Sequence, residues 1–123
     1  MKVPEGYQAV MPYLIVNGAS KFIDFTKKVF NAELKFHVLI DKNRIQHAEI
    51  KINGSVIMFA DGTDEFKPRE ANLMVYVENA DEIFKKAISE RAEIVRELSD
   101  QEYGRTCGVK DPFGITWWIT SVI

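Results

Sequence analysis

Two stretches of this chain follow the same pattern, half a chain length apart. Each is an apolar run that passes through a short polar turn into a helical pattern, first at 11–25 and again at 72–84. Val16 and Val77 occupy equivalent places and lie 61 positions apart in a chain of 123 residues. A long period that occurs twice is typical of a duplicated supersecondary unit, whereas solenoids need three or more shorter repeats.

The composition is that of an ordinary globular domain. With 46% hydrophobic and 28% charged side chains, the chain is long enough to bury a core and has the length of one domain. We therefore predict a single domain over residues 1–123. Within it we place a first module at about 7–60, a linker at 61–70 and a second module at about 71–123.

Charge and hydropathy exclude several classes of partner. The net charge is −2 and basic side chains form no patch, so we expect no nucleic-acid partner. No apolar run approaches the length of a membrane span, and the first residues lack the apolar core of a signal peptide, so we expect no membrane partner. The single cysteine, Cys107, fits a reducing compartment, which predicts a cytoplasmic protein.

Periodicity predicts the elements of the first half. A strand at 10–16 precedes an amphipathic helix for which Ser20 is the predicted N-cap. Strands follow at 32–40, 44–52 and 55–60, and Asn53-Gly54 predicts a hairpin between the last two.

The second half repeats this order. A strand at 73–77 precedes a helix with Asp81 as its predicted N-cap, and strands follow at 92–97, 105–110 and 115–122, with the polar segment 99–102 predicted as a loop. Both halves are thus βαβββ. We predict an α+β fold in which two βαβββ modules form curved mixed sheets.

The helix of each module covers one face of its sheet, and the other face needs a different partner. If the two sheets lie side by side, their uncovered faces form a trough in which a small ligand would bind. Alternation along the strands predicts which side chains face the trough. They are Met11, Tyr13, Ile15, His47, Glu49, Val56, Met58, Ala60, Asn72, Met74, Tyr76, Thr116, Trp118 and Thr120. At a step of 60, His47 corresponds to Cys107 of the second half.

Four segments carry a resemblance to a known family: 22–33 in the first helix, 77–81 after the fifth strand, Tyr103-Gly104-Arg105, and 109–114 before the last strand. On these the chain resembles the vicinal oxygen chelate superfamily, which includes glyoxalase I, bleomycin-resistance proteins, fosfomycin-resistance enzymes and extradiol dioxygenases. It is most similar to the small bacterial glyoxalase-like proteins. The resemblance implies paired βαβββ modules, a homodimer and a cleft under each curved sheet.

The resemblance also implies where a metal would lie. Enzymes of the family hold a divalent ion with His, Gln or Glu on four strands, and those positions fall here on Met11, Met58, Asn72 and Trp118. Methionine is a soft ligand and tryptophan has no acceptor, so this set does not suit such an ion. We therefore predict no metal and no cofactor, and lyase or dioxygenase activity at this place is not expected.

The predicted ligand-binding residues combine the trough positions with one arginine. They are Met11, Tyr13, His47, Met58, Asn72, Tyr76, Arg105 and Trp118. The sequence leaves open whether the methionines and Trp118 line a trough or pack in a core or dimer interface. It also leaves open whether Arg105 clamps a ligand through its planar fork or bonds loop carbonyls.

Three functional hypotheses follow. The first is a metal-independent small-molecule-binding protein of the glyoxalase/bleomycin-resistance type that sequesters a drug or metabolite. The second is a lyase or dioxygenase whose metal site has moved to His47 and Glu49, two positions on one strand face. The third is a protein whose trough is closed by side chains or by a partner subunit. A nucleophilic role for Cys107, facing His47 across the pseudo-twofold axis of the two halves, is a further alternative, and no catalytic residue is assigned.

Overall fold

The computed structural model of the chain describes residues 1–122 and divides it into two compact units, residues 1–69 and the residues from Glu70 onward. The first unit contains β1 (Tyr13–Val16), α1 (Ala19–Phe30), β2 (Glu33–Asp41), β3 (Arg44–Ile52) and β4 (Ser55–Asp61). The second contains β5 (Ala71–Tyr76), α2 (Ala80–Ser89), β6 (Glu93–Gln101), β7 (Gly104–Lys110) and β8 (Ile115–Ser121). Each unit is βαβββ, which confirms the predicted α+β fold of two such modules.

Each unit has one four-stranded mixed sheet. The strand orders are β1-β4-β3-β2 and β5-β8-β7-β6. The first strand of each unit runs parallel to the last, and the other neighbours are antiparallel. The predicted hairpin between β3 and β4 is present. Asn53 and Gly54 have φ values of 46° and 88°, as a tight turn between two twisted strands requires.

Helix α1 covers one face of the first sheet with its apolar side. Phe22 and Val29 are fully buried, and the Phe22 ring contacts the Phe59 ring of β4 edge-on at 4.9 Å between centroids. Leu14 and Val16 are buried, whereas the side chain of Tyr13, the first residue of β1, is half exposed. The alternation predicted for β1 and β4 therefore holds, and it leaves the opposite face free of helix.

The start of α1 differs from the prediction that Ser20 caps it. The N-cap is Gly18, in the left-handed conformation at φ 98°, and it has no side chain with which to cap. The carboxylate of Asp61, at the end of β4, takes over this role and accepts hydrogen bonds from the backbone N–H groups of Gly18 and Ala19 at 3.0 and 2.9 Å. Its second oxygen accepts from Ile45 N of β3 at 2.8 Å. A buried carboxylate thus joins a helix to two strands.

The start of α2 also differs from its prediction. The N-cap is Asn79, whose side chain accepts from Glu82 N at 3.1 Å, and Asp81 lies in the first turn instead of capping it. The side chain of Ser121, at the end of β8, accepts from Ala80 N at 3.2 Å. Because β4 and β8 are equivalent strands, each helix start donates backbone N–H to the side chain of the last residue of the equivalent strand, Asp61 or Ser121.

Strand β6 is longer than predicted. The polar residues 99–101, predicted as a loop, continue the strand because Ser99, Asp100 and Gln101 pair with Thr106, Arg105 and Gly104 of β7. At an exposed sheet edge, backbone pairing is enough to extend a strand through polar residues.

Most of the predicted linker, 61–70, belongs to the first unit. Gly62 N donates to Val16 O at 2.9 Å and so continues the parallel pairing of β4 with β1, whereas Arg69 N donates to Ile15 O at 3.2 Å on the free side of β1. The single domain over 1–123 stays a prediction beside these two units. Between residues 1 and 122, no helix has the length and apolar character that crossing a bilayer requires.

Replacing Asp61 with alanine is expected to destabilise the protein by about 2–4 kcal/mol, because buried backbone N–H groups lose a charged acceptor. Urea unfolding followed by circular dichroism measures the effect. The matched control is Asp64→Ala, an exposed aspartate three positions further on, which should change stability by less than about 0.5 kcal/mol. Equal effects of the two substitutions would contradict the capping role.

Candidate functional site

Three strands of the first unit place a row of side chains on the face opposite α1. Tyr13 of β1 lies beside Met58 of β4, and Met58 lies beside Glu49 of β3. Cross-strand neighbours share a face, and the buried residues Ala48 and Ile50 occupy the other face of β3. His47, two positions before Glu49, therefore belongs to the same row.

Four side chains of this face form a continuous hydrogen-bonded chain. The hydroxyl of Tyr7 donates to Oε1 of Glu49, and Oε2 of Glu49 lies 2.8 Å from Nε2 of His47. Nδ1 of His47 lies 3.0 Å from the hydroxyl of Tyr13. We call this set, Tyr7–Glu49–His47–Tyr13, the relay. It runs from a buried carboxylate, only 5% exposed, to a phenol that is 51% exposed.

The relay holds Glu49 in its ionised form. Burial opposes ionisation, but the hydrogen bonds from Tyr7 and His47, with the positive charge of Lys35 nearby, lower the pKa of Glu49 below its ordinary value. The same hydrogen bond to Glu49, together with burial, raises the pKa of Tyr7. A carboxylate that stays ionised accepts hydrogen bonds and donates none.

Apolar and aromatic side chains surround the relay. The ring of Phe36 lies 6.2 Å from the ring of His47, and Lys35 Nζ lies 4.1 Å above the ring of Tyr7. The N-terminal segment is held against the sheet because Gln8 Nε2 donates to Val56 O at 2.7 Å. It forms a small apolar cleft of about 320 Å³. This cleft is lined by Met1, Lys2, Val3, Pro4, Tyr7, Gln8, Ala9, Met11 and Met58.

A larger cleft lies at the other end of the relay. Its volume is about 1380 Å³, and Tyr13 is one of its walls. Apolar groups from β1, β2 and the 62–69 segment supply much of the rest, among them Ile15, Leu39 and Phe66. A cleft of this size can hold a drug-sized molecule. We call it the first-unit cleft.

The second unit presents a different surface on the face opposite α2. Trp118 Nε1 donates to Asn72 Oδ1 at 3.1 Å, and Met74 is the direct neighbour of Trp118 across the strands. The indole lies on Gly108, where an added Cβ would come within 2.5 Å of the ring. Tyr76, on the same face, is half exposed.

These contacts test whether the four family metal positions suit an ion. In the second unit, the acceptor oxygen of Asn72 is already used by the Trp118 N–H, which cannot itself bind a cation. In the first unit, Met11 and Met58 offer only thioether sulfurs. Across residues 1–122 there is no cluster of three or more His, Cys, Asp or Glu side chains that could hold a metal ion. The residues do not fit the metal of the family's enzymes.

Arg105 lies in the second unit and is engaged by two carboxylates. Its Nε and Nη2 donate to both oxygens of Asp81 at 2.6 and 3.1 Å, and its Nη1 donates to Asp100 at 3.1 Å. This pairing lowers the pKa of Asp81. A fork–fork pair with the first turn of α2 favours a structural role for Arg105 over ligand binding, although its partners are carboxylates and not loop carbonyls.

The predicted correspondence of His47 with Cys107 is wrong by one residue. Ala48 pairs with Phe59, and Cys107 pairs with Ile119, so Cys107 is equivalent to Ala48. The step is 59 in this strand, because the β7–β8 turn is longer than the two-residue turn between β3 and β4. Cys107 is fully buried on the helix side, and burial raises its pKa to about 11, which does not suit a nucleophile.

Comparisons with known proteins agree with this fold. The sequence-family model of the Glyoxalase/Bleomycin resistance protein/Dioxygenase superfamily matches residues 8–119. An uncharacterized protein of Mycobacterium bovis, Mb0911c, is 31% identical over 121 residues, covering 89% of this chain and 80% of the relative.

Two solved structures share the fold at low identity. TioX from Micromonospora sp. ML1 is 22% identical with a TM-score of 0.74, covering 94% of this chain and 97% of TioX. TnmS3 from Streptomyces sp. CB03234, described as an antibiotic binding protein, is 13% identical with a TM-score of 0.73, covering 95% of this chain and 100% of TnmS3.

Replacing Glu49 with glutamine should alter the pH dependence of stability. The folded-state pKa of Glu49 lies below the ordinary value of 4.5, so the ionised group stabilises the fold above about pH 4.5, and this is lost as pH falls through the folded-state pKa. In urea unfolding, the free energy of unfolding of wild type should exceed that of Glu49→Gln by about 1–3 kcal/mol near neutral pH, and by less near pH ~3. An exposed control, Glu33→Gln, should track wild type throughout. A wild-type advantage over Glu49→Gln that does not change with pH would contradict the role of ionised Glu49.

The thiol of Cys107 should be unreactive in the folded protein, since it is buried and its pKa is raised. Ellman's reagent at about pH 8 should label it slowly in the native state and completely in guanidinium chloride. Because the chain has one cysteine, the absorbance reports this site alone. Rapid native labelling would contradict the burial.

Proposed function

The chain belongs to the Glyoxalase/Bleomycin resistance protein/Dioxygenase superfamily, and from this we propose that it is a metal-independent small-molecule-binding protein that sequesters a drug or metabolite. The observation that carries the proposal is the loss of ion-binding groups at the four metal positions. Two are methionines, and the other two are Asn72 and Trp118, which bond to each other. The donor set that would polarise a substrate is therefore replaced by apolar and aromatic surface.

The proposed ligand contacts lie on the helix-free face of each sheet. In the first unit they are Met11, Tyr13, His47 and Met58, and in the second they are Asn72, Tyr76 and Trp118. Half-exposed aromatic rings such as those of Tyr13 and Tyr76 offer stacking area at low conformational cost. Arg105 is not among the proposed ligand contacts, because its guanidinium forms ion pairs with Asp81 and Asp100. The fold shared with the antibiotic binding protein TnmS3 supports this class of function.

We further propose that the protein is a cytoplasmic homodimer. The single cysteine is buried and carries a free thiol, which fits a reducing compartment. The dimer follows from the family resemblance of the sequence, and sedimentation equilibrium measures it directly.

A second candidate function rests on the contact between His47 and Glu49. Their 2.8 Å separation would suit a displaced metal site of a lyase or dioxygenase. Against it, both ring nitrogens of His47 and both oxygens of Glu49 already have hydrogen-bond partners in the relay. Elemental analysis of the purified protein separates the two candidates, because a stoichiometric divalent ion would favour the enzyme.

A thermal-shift screen of aromatic antibiotics and metabolites in the presence of EDTA tests the proposed function. A ligand at about a hundredfold its Kd should add roughly 2.7 kcal/mol to the stability and raise the midpoint by several degrees. Trp118→Ala should reduce this response while the unliganded protein stays folded. The control is Tyr103→Ala, a half-exposed aromatic residue outside the proposed contacts. Equal loss of stability and binding in Trp118→Ala would assign the indole to the core, and responses that EDTA abolishes would contradict metal independence.

A further inference from the structure

The relay determines whether the Tyr13 hydroxyl donates or accepts the hydrogen bond that it makes with a ligand. Glu49 contacts both Tyr7 and His47, and its lowered pKa keeps it ionised, so it accepts a hydrogen bond from each of them. Nε2 of His47 must then carry the proton that faces Glu49. In the neutral imidazole the other nitrogen, Nδ1, has a lone pair and accepts.

The position of the proton on His47 determines the role of Tyr13. Its hydroxyl lies 3.0 Å from Nδ1 of His47 and donates its one proton to that nitrogen when the imidazole is neutral. The lone pairs of the phenol oxygen remain, on a side chain that is half exposed and lines the first-unit cleft. A buried carboxylate thereby makes a surface phenol a hydrogen-bond acceptor toward the cleft.

Three of the four charged residues that line the first-unit cleft are carboxylates: Asp61, Asp64 and Glu65. Asp64 and Glu65 lie in the exposed 62–69 segment and add acceptors. Arg44 also lines the cleft, and its Nε donates to Asp41 at 3.2 Å. The buried carboxylate of Asp61 is occupied by backbone N–H groups.

Apolar side chains of the first-unit cleft provide a surface against which an aromatic ring system can pack. Leu39 and Phe66 are each about half exposed, and Ile15 lies beside Tyr13 on the same strand. Exposed apolar groups gathered around a cleft are typical of ligand sites.

We propose that the first-unit cleft takes an aromatic compound carrying a hydrogen-bond donor, a phenol or an arylamine, and that the donor binds to the Tyr13 oxygen. Glu49 and His47 act as positioning residues, since they set the direction of the hydrogen bond through Tyr13. This inference rests on the proposed small-molecule-binding function and names the ligand chemistry of its first-unit residues.

The test compares two probes, 2-naphthol and 2-methoxynaphthalene, in which the same ring oxygen carries either a proton or a methyl group. Equilibrium dialysis and amide chemical-shift titrations at about pH 8 give the affinity of each. Wild type should bind 2-naphthol about three- to tenfold more tightly, the contribution of one hydrogen bond. Shifted amides should include those of Tyr13, Ile15 and Phe66.

The variants separate recognition from packing. Tyr13→Phe should lower 2-naphthol affinity to that of 2-methoxynaphthalene and leave the ether unaffected. Glu49→Gln should reduce the ratio of the two affinities although Tyr13 is still present, because His47 is no longer held in one tautomer. A ratio of affinities is a readout that general loosening of the sheet would not move. Tyr103→Phe, which removes a half-exposed phenol of the second unit, should behave as wild type.

The outcomes are distinguishable. If both probes bind wild type equally, or if Tyr13→Phe keeps the preference, the acceptor role of Tyr13 is overturned while small-molecule binding stands. If neither probe binds, the proposed aromatic site in the first-unit cleft is overturned as well.

Discussion

Each unit has one helix for a sheet with two faces, and this constraint determines what the rest of the molecule can do. The helix-facing side is closed by residues such as Phe22 and Phe59, while the opposite side keeps half-exposed Tyr13 in the first unit and Tyr76 in the second. Strand alternation forces side chains onto that second face whether or not anything covers it. In the first unit, the face carries polar groups that satisfy one another, as burying Glu49 demands. The candidate site thus depends on strand alternation and on having one helix per sheet as much as on the chemistry of its side chains.

Local pattern was enough to predict the order of elements, because apolar periodicity and the Asn53-Gly54 turn act over a few residues. The helix starts could not be predicted in the same way. Asp61 reaches back 42 and 43 positions to cap α1, and nothing near Ser20 signals this. Tyr7 is another case, since it precedes every regular element yet binds Glu49 of β3. Contacts between distant segments decide such details, and periodicity does not record them.

The candidate site was predicted in part for a related reason. Parity correctly placed His47 and Glu49 together on the helix-free face of β3, but it did not give their bonds to Tyr13 and Tyr7. The equivalence of His47 with Cys107 failed because the two modules differ in turn length, and a shift of one position moves a side chain to the other face. Repeat arithmetic is therefore dependable only where the intervening turns have equal length.

The indole of Trp118 occupies the space that a side chain at position 108 would otherwise fill. These two positions are consequently coupled: any larger residue in place of Gly108 has to displace the ring, and with it the bond to Asn72. In a relative that diverges here, we expect the pair to change jointly, with a smaller residue at 118 wherever 108 is no longer glycine. Reshaping this surface by design would accordingly begin with the tryptophan, and only then introduce bulk on the neighbouring strand.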